Sequence, residues 1–305
     1  MNRPMQAALG LVVDRALGEP RVDPHPVAAL GAALGWLEDR VYADDRAAGV
    51  RLAIAGGALG LGAGIAVRST ALATYVSCSG RMLGSSAMDV HTALAAGELE
   101  TARTLLPTLV GRDPSRLDGD EMARAVVESV AENTVDAVVA PALFGALGGA
   151  PAAIGHRAVN TLDSMVGHRS ARYERFGWAS ARLDDAAAWV PARATAALVA
   201  LVRPARGGDV WRIVRRDASS HPSPNAGVAE AAFAAALELR LGGVNRYGDR
   251  VEHRPELGDG KPPTPDDIPR AVRLLRDVTL ALAASLCAFG VAQQRRRRTT
   301  KGTNR

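Results

Sequence analysis

The nineteen consecutive residues 137–155 carry no charge, so the chain must take them out of water into a core or a bilayer. Directly beyond them comes VNTLDSMVGHR, residues 159–169. On a helix Asn160 precedes Asp163 and Ser164 by three and four positions, and Ser164 precedes His168 by four, which places these polar side chains on one face. A polar face joined to so apolar a segment implies a cavity for it to line.

Three more apolar stretches, residues 52–67, 186–202 and 278–294, are of similar length, near the lower end of the roughly 17 to 25 residues that span a bilayer. In the first, Gly56, Gly60 and Gly64 recur every fourth residue and form a groove that admits another helix backbone, from this chain or from a second copy in a homo-oligomer. If Arg68 snorkels, that helix extends to Cys78. The last stretch runs into Arg295, Arg296, Arg297 and Arg298, which under the positive-inside rule anchor a cytoplasmic C-terminus at the cell membrane. A mean hydropathy of only +0.01 keeps a soluble, alanine-rich bundle open as the alternative.

Four of the five net positive charges belong to that terminal run, and no basic stripe with interleaved aromatics appears, so nucleic acid is not an expected partner. Aromatic residues make up 4% of the chain and hydrophobic types 48%, a core built from small side chains. Cys78 and Cys287 stand far apart in apolar surroundings and suggest neither a disulfide nor a zinc site. Helical periodicity dominates and no run alternates like a strand, so the expected class is all-α, with residues 1–292 as a single membrane-embedded domain and 293–305 as a basic, disordered tail. Residues 89–109 read as one amphipathic helix and Asp120 as the cap of the next, while Asn225 is placed to cap a helix over 226–240. The Gly/Pro-rich residues 241–267 read as a long loop.

Several polar groups are candidates for chemistry. Glu128, Glu132 and Asp136 follow one another at intervals of four, a like-charge stack that calls for a cation, or is simply a solvated face. Asp184 and Asp185 follow a segment carrying Arg169, Arg172, Arg175 and Arg182; adjacent carboxylates suit Mg²⁺ held with substrate phosphates, or an acidic helix start. His25 and His221 each stand beside proline on stiff loops. No Walker or Rossmann pattern is present, so any ATP site is of another kind.

Taken together, DRALGEPRVDPHPVAALG, SVAENTVDAVVAPALFGALGGAP, AVNTLDSMVGHRSARYERFGWASARLDDAAAWVPARATA and HPSPNAGVAEAAFAAALELRLGGVNRYG resemble the CobD/CbiB family of cobalamin biosynthesis. The resemblance implies a multi-pass membrane enzyme of the adenosylcobinamide-phosphate synthase type. Its implied partners are adenosylcobyric acid, membrane lipid, and aminopropanol or its phosphate, which it would join to the f propionate by an ATP-dependent amide ligation. For such a ligation we expect Glu132, Asp163, Asp184, Asp185 and His221 as catalytic candidates and Mg²⁺ to be held from the pool of Glu132, Asp136, Asp163, Asp184 and Asp185, above all by Asp136, Asp184 and Asp185. Substrate would fall to His25, Asn133, Asn160, Ser164, Arg172, Arg175, Arg182 and Asn225. The rival readings are an AmpE-like membrane sensor, a soluble binding protein and a transporter.

Overall fold

The computed structural model describes residues 1–111, 113–168, 170–247 and 250–302, without the side chains of 245–247, 250–252 and 298–302, so Arg169 lies outside the described residues. Among the described residues thirteen helices and one hairpin follow in order: α1 Arg3–Leu17, α2 Pro26–Val41, α3 Arg46–Val67, α4 Thr70–Ser77, α5 Gly80–Ala95, α6 Leu99–Leu105, α7 Gly119–Thr134, α8 Ala140–Gly148, α9 Ala150–Leu162, α10 Trp178–Val202, α11 Gly207–Asp217, α12 Ala226–Leu237, strands β1 Leu241–Tyr247 and β2 Arg250–Leu257, and α13 Ile268–Gly302. Four helical stretches among these residues are long and apolar enough to cross a membrane: Arg46–Val67, Gly119–Gly148, Trp178–Val202 and Pro265–Arg297. The protein is an all-α, multi-pass membrane protein; the two short strands are its only sheet among the described residues.

The chain folds as two compact units, the first comprising Met1–Ser79, Asp136–Ala188 and Leu282–Arg305, the second Gly80–Val135 and Trp189–Ala281. In the first, α3 lies against α9. A Cβ added at Gly56 would come within 2.6 Å of Leu162, and one at Gly60 within 2.5 Å of Ala158, while Gly64 faces the backbone of Ala150 and Pro151. The glycine groove is therefore filled from within the chain. Another face of α3 turns Ile54 and Ile65 outward, with Ile54 at 67% exposure, the pattern of a helix that meets hydrocarbon on one side and protein on the other. At one end of this pair Leu34, Leu52, Leu162, Val166 and Phe176 form a buried cluster, with the ring of Tyr42 edge-on to Phe176.

In the second unit every residue of α12 is buried, which its run of alanines permits at close helix spacing. Residues 241–267, read from the sequence as a loop, contain the antiparallel β1–β2 hairpin. Its first strand opens on Gly242 and Gly243, both with φ near +90°, at a bulge; Gly242 N–H donates to Glu128 (2.9 Å) and Arg124 donates to the carbonyls of Gly242 and Val244. The strand is thus fixed by contacts with α7 that no local alternation of side chains announces.

Other departures from the sequence reading have local causes. The uncharged run 137–155 is two helices, because Gly149 takes φ +77° between α8 and α9. Helix α3 stops at Arg68, which is left-handed (φ 58°), and Ser69 caps a new helix instead of the first continuing to Cys78. Gly97 (φ +76°) divides residues 89–109 into α5 and α6. Asp118, not Asp120, caps α7 through a reciprocal box with Glu121, and α12 ends at Leu237 before left-handed Glu238. Helix α13 carries on through Arg295 to Arg298, the residues that the sequence assigns to its tail.

The α3–α9 contact predicts an asymmetry between neighbouring glycines. Gly60→Val should destabilise the detergent-purified protein by about 1–3 kcal/mol or prevent folding, since overpacking has no room to relax there. Gly57→Ala, where an added Cβ meets nothing within 4 Å, should leave the thermal midpoint in a dye-based unfolding assay nearly unchanged.

Candidate active site

Two helical irregularities shape the first unit's polar centre. Residues Val135–Val139 form one π-turn and Asp163–Gly167 another, each adding a residue to the local turn and rotating the side chains beyond it. The second ends at His168, which is extended, so the polar face expected over 160–168 divides. Asn160 and Asp163 turn inward, Ser164 is exposed and returns its hydroxyl to the Asn160 carbonyl (3.0 Å), and His168 leaves the helix with its ring edge-on to Tyr173.

Asn160 is the hub of the inward set. Its side-chain NH₂ donates to Asp136 Oδ2 at 3.3 Å and to Asp184 Oδ1 at 3.4 Å, so one neutral amide joins carboxylates from the π-turn and from α10. Asp184 is buried and Asp136 half-buried. Two acceptor carboxylates on one amide repel each other, and a cation between them relieves that repulsion. Among the described residues no three His, Cys, Asp or Glu side chains converge as a metal-ligand group. Mg²⁺, however, commonly takes only one or two carboxylates and completes its shell with water and phosphate oxygens, a demand that this pair fits.

Asp163 adds a proton site to the same unit. Burial, and after it the field of Asp185, lifts its carboxyl from the ordinary 3.8 to about 6, with His168 opposing. Its Oδ1 occupies the space where a side chain at residue 167 would stand, which is why Gly167 closes the π-turn. Asp185 itself sits 3.6 Å from exposed Arg182.

Other expected site residues have local partners. Arg172 stacks on Tyr42 (4.2 Å) and pairs with Glu38 (3.3 Å), to which Tyr173 also donates (2.7 Å), so this arginine fastens the segment before α10 onto α2. Arg175 is exposed. His25 caps α2 by accepting from Val27 N–H (3.3 Å), with Glu19 3.8 Å from its other nitrogen.

The remaining candidates belong to the second unit. Glu128 accepts from Gly242 N–H while Glu132 is exposed, and the π-turn carries Asp136 out of their register, so the three do not act as one acidic stack. Asn133 bonds back to Ser129 (2.9 Å), and Asn225 accepts from Arg193 (3.0 Å) instead of capping α12, a role taken by Ser223. Buried His221 lies 3.6 Å from Glu230 and 3.2 Å from Arg254 Nη1, which donates to its Nε2. Arg157, which the sequence alone does not single out, stands one turn before Asn160 on α9 without a hydrogen bond to its Nε. The only signal for it along the chain is a lone charge in an otherwise neutral segment.

The first unit of this helical membrane protein thus joins a carboxylate pair through one amide and carries a protonatable aspartate one turn further along. The CobD/Cbib protein family model matches residues 7–275, and the chain belongs to this family. It is 47% identical to the "Cobalamin biosynthesis protein CobD" of Mycobacterium tuberculosis, with 96% of this chain and 97% of that protein covered. The protein of the same name from Geobacter metallireducens is 42% identical over 82% of this chain and 84% of its own length. No solved structure matches the chain.

The raised Asp163 carboxyl has a thermodynamic consequence. The folded state keeps a proton there that the unfolded chain releases above pH 3.8, so this stabilising contribution is complete below about pH 4 and disappears as pH rises through about 6. The thermal midpoint of the wild type should fall over that window, and Asp163→Asn should flatten the fall; an unchanged slope in the variant would place the titration elsewhere.

Proposed function

We propose that this protein is a cobalamin-biosynthesis enzyme that forms an amide between the f propionate carboxylate of adenosylcobyric acid and aminopropanol or its phosphate, with ATP consumed. The observation that carries the reading is the Asn160 amide shared by Asp136 and Asp184 with Asp163 close by, in a chain whose relatives are named for cobalamin biosynthesis. Carboxylate oxygen is a poor leaving group, so the propionate must first be activated. Transfer of the terminal phosphoryl group of ATP to that oxygen gives an acyl phosphate and ADP; attack by the amine on the acyl carbon then forms the C–N bond and releases phosphate.

Each side chain has a task in this scheme. Asp136 and Asp184 would hold Mg²⁺, which when bound offsets the charge of the ATP phosphates. Asn160 orients the two carboxylates. The amine must lose a proton as it attacks, and Asp163, with its pKa raised to about 6, is matched to accept it near neutral pH. The four terminal arginines favour a cell-membrane location with a cytoplasmic C-terminus.

The test uses detergent-purified protein, adenosylcobyric acid, Mg·ATP and either amine, with mass spectrometry of the corrinoid. An ATP-dependent gain equal to the amide-linked unit identifies both reaction and amine; no product from folded protein with either amine would overturn the ligase reading. Asp184→Asn should lower the rate by about 10²-fold or more while leaving expression unchanged.

A further inference from the structure

A cavity of about 530 Å³ opens in the first unit, walled by apolar side chains that include Pro26 and Leu30 of α2, Ala63 of α3, Tyr75 of α4 and Ile154 of α9. Its size is that of a small-molecule site. Three residues with polar side-chain groups interrupt the otherwise apolar lining, Arg157, Ser77 and Tyr75. The Arg157 Nε and the Ser77 hydroxyl are both buried without a hydrogen-bond partner. Among the described residues no carboxylate lies within ion-pair distance of this guanidinium; Glu19 and Asp136 reach it only through longer-range fields. A guanidinium cannot discharge itself by losing its proton at physiological pH. Its neighbour His156 can: burial holds that imidazole near pKa 4 and neutral, stacked 4.9 Å from the Phe144 ring centroid. An arginine left charged and unpartnered in an apolar cavity is stabilised only by an anion that arrives with its own apolar body.

We infer that this cavity is the seat of the corrinoid acid, with Arg157 and Ser77 receiving its free carboxylate while one edge of the macrocycle fills the apolar space. The assignment rests on the ligase reading for the identity of the acid. It is supported by chemistry that fits a monocarboxylate: a planar donor fork and a hydroxyl, in a cavity whose lining carries no carboxylate to compete for them. The volume accommodates an edge of the corrin and not the whole ring. Arg157 lies one helical turn from Asn160, so a carboxylate held by the arginine is presented toward the Asp136–Asp184 pair.

Equilibrium dialysis of cobyric acid and of the uncharged-side-chain corrinoid cobinamide, read by corrin absorbance, tests this with wild type, Arg157→Gln, Arg157→Lys and Ser77→Ala in detergent. The wild type should prefer the acid. Arg157→Gln should bind it at least tenfold more weakly with cobinamide binding unchanged, Arg157→Lys should retain part of the preference, and Ala33→Phe, which adds a ring to the cavity wall, should weaken both ligands. Equal preference for the acid in wild type and Arg157→Gln, each eluting as folded protein, overturns the assignment while leaving the ligase reading intact if wild type still makes product. Tight acid binding that depends on Arg157 without any product supports the pocket and sinks the ligase reading. Failure of the wild type to bind cobyric acid overturns the pocket as a corrinoid site.

Discussion

The close approach of α3 to α9 is the contact on which the first unit's chemistry depends. Hydrocarbon solvates a leucine face as well as another helix does, so apolar burial alone gives such helices little reason to choose one another. What favours the pair is backbone proximity, reached because Gly56, Gly60 and Gly64 leave the inner face of α3 without side chains where Leu162, Ala158 and the Ala150–Pro151 backbone come in. Dispersion across so narrow a gap is summed over many atoms. The helix held in this way carries Arg157 and Asn160 and leads directly into Asp163. A bulkier α3 would push all three off the position at which Asn160 reaches both carboxylates.

The π-turns do the finer placement. An uninterrupted α-helix through residue 136 would hold Asp136 in line with Glu132, and one through 168 would hold Asn160, Ser164 and His168 together. Instead the wider turns at Val135–Val139 and Asp163–Gly167 separate an inward set, Asp136, Asn160 and Asp163, from side chains that face elsewhere. Gly167 is part of the same device, since the Asp163 carboxylate fills the space beside it. Irregular helix geometry costs backbone hydrogen bonds, and here it coincides with the residues that meet.

Patterns that depend on neighbours along the chain are legible in the sequence. The glycine period of α3, the apolar spans and the acid–amide content of the segments around Asp136, Asn160 and Asp184 are local, and the resemblance to a cobalamin family rests on such stretches. The hidden features depend on contacts between distant segments. The hairpin forms because Arg124 and Glu128 bind the backbone of Gly242 and Val244, far away in sequence. Arg172 reads as a phosphate ligand until Glu38, Tyr42 and Tyr173 are seen around it. Ser164 and Asn133 look like free polar side chains and are bonded to their own helices. Arg157 escapes notice because a single arginine in a neutral run looks like a surface residue until its missing partner becomes visible.

Of the buried side-chain atoms without a hydrogen-bond partner among the described residues, those of Arg157 and Ser77 line the apolar cavity. Thr134, Thr195 and Thr279 each return a hydroxyl to the carbonyl four residues earlier, the cheapest way for a helix in lipid to satisfy itself. Glu128 is satisfied by a backbone N–H, and His221 by Arg254 and Glu230. His156 becomes neutral and stacks. The three threonines, Glu128 and His221 are satisfied within the protein, whereas both ring nitrogens of His156 are buried without a partner. Asp136 and Asp184 concentrate negative charge around one neutral amide, whereas the Arg157 Nε and the Ser77 hydroxyl have no acceptor, so the two places are opposite in what they would draw in. A reaction that brings a metal–nucleotide complex to one and a carboxylate to the other satisfies both at once, and the turn of α9 between Arg157 and Asn160 is the distance over which the two must meet.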